Sequence, residues 1–177
     1  EAVESMGSTA SKAEAIAAQT KKTITDRMAT DPEFYKRFSD KVSEILKKMR
    51  EGKLEDIQAL KELKDANDAV VNKKDESVPE AVTATPGADI FYRNLSPMLT
   101  SSGTSKEQQI TIALAVLDLL KKEAIVDWYR NAEVKRVMRN KLDDYLYDVV
   151  RGGMNVQLTG EQIQTTVDQI INLAEVN

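Results

Sequence analysis

Apolar residues recur along this chain at intervals of three and four, with no run of two-residue alternation, so the pattern predicts helices and no strand. A first helix is expected over Ser11–Met28, Ala- and Thr-rich and only weakly amphipathic, with Ile16, Gln19 or Thr20, Thr23 or Ile24, and Arg27 or Met28 on successive turns. The second start is sharper. Asp31 stands at an N-cap position and Pro32 at the first helical position, where a missing N–H costs nothing. Phe34, Phe38, Val42, Ile45 and Met49 then form one stripe, with Tyr35 flanking. Lys47, Lys48 and Arg50 collect in the last turn, where the helix dipole favours cations, and Gly52 ends the helix. A third helix follows at once, with Leu54, Ile57, Leu60, Leu63, Ala66 and Val70 expected to face inward. The short Gly-containing connection makes the pair an antiparallel hairpin.

From Glu76 to Gly87 two prolines interrupt a stretch without periodicity, which reads as a linker. Ala88–Leu95 is expected to be a short helix ending before Pro97. Ser105 and Gln108 form a capping box. The helix that follows is apolar nearly all round, from Ile110 to Leu120, and is expected to be central and surrounded. IVDWYRN, Ile125 to Asn131, breaks the pattern before a helix over about Ala132–Val150, whose stripe is Val134, Met138, Leu142, Tyr145 and Val149. Thr159 and Gln162 box the last helix, with Ile163, Val167, Ile170 and Ile171 on its apolar face. The fold class is all-α, an irregular bundle of about seven helices containing a long antiparallel hairpin. The expected organisation is one domain overall. An N-terminal helix over 1–30, continuing from an upstream domain, precedes the hairpin over 31–75. A linker with one short helix covers 76–104, and a three-helix part over 105–177 packs on the hairpin.

Composition then removes whole classes of chemistry. The 177 residues hold neither Cys nor His, so thiolate nucleophiles, disulfides, Cys/His zinc sites and Ser-His-Asp triads are excluded. Carboxylates are left, and Asp143, Asp144 and Asp148 lie close together on one predicted helix; a metal would need further oxygens from another segment, and a solvated helix face is the simpler reading. No phosphate-binding glycine motif is present. The net charge of −4 argues against a dedicated polyanion binder, but it conceals a basic stretch. Between Arg130 and Lys141 lie Arg130, Lys135, Arg136, Arg139 and Lys141 against Glu133 alone. Cations early in a helix oppose its dipole, so Arg130, Lys135, Arg136 and Arg139, with Tyr129 beside them, are candidate contacts to a partner or to DNA backbone; pairing with nearby acids is the competing reading. Trp128, Phe34, Phe38 and Met138 are the expected core anchors. The longest apolar-rich stretch, Ile110–Leu120, is interrupted by Thr111 and Asp118 and is too short to span a bilayer, and the N-terminus lacks the layout of a signal peptide. The chain begins with Glu rather than Met and reads as a piece of a longer polypeptide.

DPEFYKRFSDKVSEILKKMREGKLED, from Asp31, resembles the helical hairpin that follows the motor domains in the restriction (R) subunit of type I restriction–modification enzymes. ALAVLDLLKKEAIVDWYRNAEVKRVMRNKLDDYLYDV, from Ala113, resembles the C-terminal end of that subunit. There a valine-aspartate-tryptophan turn leads into a V-x-x-x-M-R helix; the matching positions are Val126, Asp127 and Trp128, then Val134, Met138 and Arg139. DIFYRNL, from Asp89, is similar to the short aromatic helix between them. After Asp148 the sequence departs from the family's basic run and Gly-Tyr and leads into an extra helix. The resemblance implies a cytoplasmic, membrane-free C-terminal piece of an ATP-dependent site-specific deoxyribonuclease. Its ATP and Mg²⁺ chemistry would lie upstream, leaving no catalytic, cofactor or metal residue in this chain. The implied partners are the methyltransferase (modification) subunit and the specificity subunit, with DNA reached through the parent complex. Two alternatives stay open, a DNA-backbone-contacting support module of the same motor subunit and an unrelated helical protein-interaction domain.

Overall fold

The computed structural model describes residues 7–177, so the first six residues of the predicted N-terminal segment lie outside the described residues. The described residues form eight α-helices and no strand, and the protein is all-α. The chain groups into two compact units, Glu1–Glu76 and Ser77–Asn177, each with its own apolar core.

The first unit is built from α1 (Thr9–Arg27), α2 (Pro32–Arg50) and α3 (Asp56–Asn72). Asp31 caps α2 as its position demands, accepting from Phe34 N, and Pro32 takes the first turn. Phe34, Phe38, Val42, Ile45 and Met49 are all buried, and Tyr35 and Leu46 widen the stripe. Tyr35 does more than flank: it is fully buried, its ring edge-on to Phe34 at 5.1 Å. Helix α1 leans on this surface, as its weak amphipathicity requires, burying Ala13, Ile16, Ala17, Thr20 and Ile24. The buried Thr20 hydroxyl is satisfied by the Ile16 carbonyl at 2.8 Å and Asn67 Oδ1 at 3.0 Å. The Arg37–Asp75 ion pair, at 2.8 Å, brings the end of α3 back to the start of α2. Ile57 does not face inward. It is 76% exposed, because the buried row of α3 is Ala59, Leu63, Ala66 and Val70, and Ile57 lies about 200° around the helix from Ala59.

The second unit departs further from expectation. The stretch predicted as a linker with one short helix holds two helices, the single turn α4 (Glu80–Thr83) and the 14-residue α5 (Ala88–Ser101). Helix α5 runs through Pro97 rather than stopping before it. Pro97 removes one backbone donor, but Phe91, Leu95 and Leu99 are all buried, and Leu99 reaches the core only if the helix continues another turn. Ser96 turns its hydroxyl back onto the Tyr92 carbonyl at 2.6 Å. Helix α6 (Lys106–Glu123) begins at the predicted Ser105/Gln108 box. It is not surrounded: Gln109, Ile112, Ala113, Val116, Leu117 and Leu120 are buried, whereas Glu107, Thr111, Asp118 and Lys122 form an exposed strip. The last helix, α8 (Gly160–Val176), starts at the Thr159/Gln162 box and buries Ile163, Val167, Ile170 and Ile171.

The largest local surprise follows α7 (Ala132–Asp144). The chain does not continue as an α-helix but widens into a π-helix over Tyr145–Gly153. Its i→i+5 bonding persists to the end, where Met154 N donates to Val149 O at 2.8 Å. The buried row is therefore Met138, Leu142, Leu146 and Val150, and the expected Tyr145 and Val149 are displaced from it, Val149 to 43% exposure. Val134 packs only at the core's edge. This register predicts that Leu146→Ala costs about 2–5 kcal/mol in urea-induced unfolding, whereas Val149→Ala stays within about 0.5 kcal/mol of wild type; an α-helical continuation would bury Val149 as well, so that its truncation would also be costly.

Candidate interaction surface

The break between α6 and α7 is a tight turn. Ala124 leaves α6 in an extended conformation, and Trp128 N then donates to Ile125 O at 3.1 Å. Asp127 adopts the left-handed region at φ 56°, tolerable for Asp though disfavoured for most residues. A turn of 3₁₀-helix over Trp128–Arg130 follows, and Asn131 caps α7 by accepting from Glu133 N and Val134 N. Along this path only Trp128 turns inward. Trp128 folds back against the core, half-buried rather than sealed within it, while Ile125, Val126 and Tyr129 are 56%, 91% and 40% exposed. Of the other expected anchors, Phe34, Phe38 and Met138 are buried.

Trp128 forms part of the wall of an apolar groove with a volume of about 270 Å³, shared with Ile90, Phe91, Leu117, Leu120 and Met138 and edged by Lys121. Gly87 lies at its rim with φ 91°, where a side chain would be strained.

The basic stretch beside the turn is engaged within the unit. Lys135 pairs with Glu175 at 2.7 Å. Arg136 makes a forked contact to Glu133 at 2.6 and 3.0 Å. Arg139 pairs with Asp168, and Lys141 with Glu123. The Arg136 hydrogen bond and charge hold the Glu133 carboxyl below the usual carboxylate range, and Glu133 in turn raises the Arg136 guanidinium. Pairs open to solvent contribute little stability one by one, so their main consequence is local charge neutrality. Arg130 differs: its guanidinium lies 5.4 Å from the Tyr129 ring centroid, and it has no acidic partner among the described residues. The Tyr129 hydroxyl donates to Asp127 Oδ1 at 3.1 Å.

The carboxylates do not assemble into a metal centre. Asp143 accepts from Gln164 Nε2 at 2.6 Å, Asp144 and Asp148 are exposed, and no group of three or more acidic side chains among the described residues is placed to hold a cation. Ile125, Val126 and Lys121, exposed here, were not singled out by the sequence as candidate contacts. The readable signal was that Ile125 and Val126 fall in the gap between two apolar periodicities and so have no helical stripe to join.

The class the fold defines is an all-α helical protein in two compact units. The chain belongs to the family described as "Type I restriction enzyme HindI endonuclease subunit-like, C-terminal", which matches residues 1–176. No curated protein and no solved structure matches it. No helix among the described residues is long and apolar enough to cross a membrane.

The internal pairing of α7 leads to a measurable expectation. Glu133→Gln, Asp168→Asn and Glu175→Gln together release Arg136, Arg139 and Lys135, so the triple variant elutes from heparin at clearly higher salt than wild type. Unchanged elution would mean that the ion pairs do not neutralise this face in solution.

Proposed function

We propose that this chain is the non-catalytic assembly domain of a type I restriction enzyme's R subunit. It docks the ATP-driven translocase and endonuclease onto the methyltransferase core of modification and specificity subunits. On this reading ATP and Mg²⁺ act elsewhere in the parent deoxyribonuclease, and the complex works on DNA in the cytoplasm. The observation that carries the proposal is the exposed apolar turn, Ile125, Val126 and Tyr129, on a chain of this family. Exposed apolar side chains gathered at one place mark surfaces that another protein covers. The alternative role as a brace on DNA backbone draws no comparable support, because Lys135, Arg136 and Arg139 are already occupied by acids that a phosphate would have to displace.

The test is assembly. Mixed with purified modification–specificity core, this chain is expected to co-elute with it in size-exclusion chromatography. Separate elution, together with normal assembly by an R subunit lacking these residues, would overturn the docking role.

A further inference from the structure

The cations between Lys121 and Lys141 divide into two sets. Lys122, Lys135, Arg136, Arg139 and Lys141 each face an acidic partner within the unit. Lys121 and Arg130 have no ion pair among the described residues, although both are exposed and acids are plentiful nearby. Lys121 is tied to the apolar groove directly, and Arg130 through the turn that supplies one of its walls. Lys121 lines it, and Arg130 stacks on Tyr129 at the end of the 3₁₀ turn whose first residue, Trp128, forms its wall. Asp127, the acid of the turn, already receives the Tyr129 hydroxyl. The groove therefore combines an apolar floor with the unpaired charge of Lys121 at its edge, and the turn that supplies Trp128 carries the exposed Ile125 and Val126 and the Arg130 guanidinium, with the Asp127 carboxylate beside it.

From this we infer that the groove beside Trp128 is the docking pocket itself, and that its occupant is a segment of the methyltransferase core offering large apolar side chains flanked by carboxylates. The inference rests on the docking role proposed above and adds to it a place and a chemistry. A volume of about 270 Å³ takes a few apolar side chains rather than a whole helix, so the anchors enter the groove while their flanks lie along its rim. Carboxylates there meet Lys121 and Arg130, which need not first give up an internal partner. A nucleic acid would find the charge but leave the apolar floor unfilled. A second copy of this chain could in principle supply Ile57, which is exposed beside Glu55 and Asp56, and the experiment separates that case.

Trp128 is the only tryptophan in the chain, so biosynthetic 5-fluorotryptophan gives one ¹⁹F resonance inside the groove. Adding unlabelled modification–specificity core is expected to shift or broaden that resonance. Val126→Asp is expected to weaken binding at least about tenfold, with the far-ultraviolet circular dichroism spectrum unchanged because the side chain lies almost wholly in solvent. Lys121→Glu combined with Arg130→Glu is expected to weaken binding by a similar factor and to flatten its salt dependence, whereas Arg136→Gln leaves it nearly unaltered. If the core binds without disturbing the ¹⁹F resonance, or binds both groove variants as tightly as wild type, this inference falls while the docking role stands. If wild type does not bind the core at all, the docking role falls and the pocket assignment with it. A dimer of the free chain in light scattering that Val126→Asp abolishes would assign the groove to a second copy and overturn the inference.

Discussion

Much of the second unit depends on keeping one row of side chains straight. In an α-helix each step of four residues overshoots a full turn by about 40°, so a row at +4 spacing winds away from a flat neighbour. The wider π turn, closed by i→i+5 bonds, winds the other way. By changing from α to π at Tyr145, the chain lets Met138, Leu142, Leu146 and Val150 all stay buried. Helix α7 is thereby held against α6 and α8, and its start is fixed relative to α6. The turn that joins α6 to α7 must close over a short span, which puts Asp127 in a left-handed conformation and leaves Ile125 and Val126 in solvent. The exposed turn is thus a consequence of the same packing that buries Met138.

The charges follow the scaffold. Once α7 lies between α6 and α8, Lys141 comes within reach of Glu123 on α6, and Arg139 and Lys135 within reach of Asp168 and Glu175 on α8. Only Arg136 finds its acid on its own helix, at i−3. Three of these four pairs bridge elements far apart in sequence, which explains how a stretch that looks basic along the chain becomes neutral in the fold.

This is also why the site was only half legible beforehand. Caps at Asp31, Ser105, Asn131 and Thr159 act within a few residues, and three of them, with the Phe34–Met49 stripe, could be read from local spacing. The partners of Lys135, Arg139 and Lys141 are 18 to 40 residues away, and no local rule finds them. The π-helix was missed for a related reason. Tyr145 and Val149 satisfy an α stripe as well as Leu146 and Val150 satisfy a π one, and only the neighbouring helices choose between the two registers. At Pro97 the local rule against continuing a helix was outweighed by the burial of Leu99, one turn beyond it. The family resemblance, by contrast, lay in combined packing motifs such as Val126–Asp127–Trp128 and Met138–Arg139, and it extends over residues 1–176.

A neutral α7 has a physical use in an enzyme that handles DNA. Unpaired cations on an exposed helix draw DNA backbone without regard to sequence, with dissociation constants of roughly 10⁻⁴ to 10⁻⁶ M at physiological salt. If the parent complex moves duplex past this domain, as the proposed function has it, that DNA would compete with any partner that used those cations for docking. Pairing Lys135, Arg136, Arg139 and Lys141 internally removes most of that competition. On the proposed docking role, recognition is left to a groove whose floor DNA cannot fill, with Lys121 at its edge and Arg130 in the neighbouring turn to meet a carboxylate-bearing segment. Under that proposal, specificity for protein over nucleic acid comes less from adding attraction toward the partner than from cancelling attraction toward the competitor.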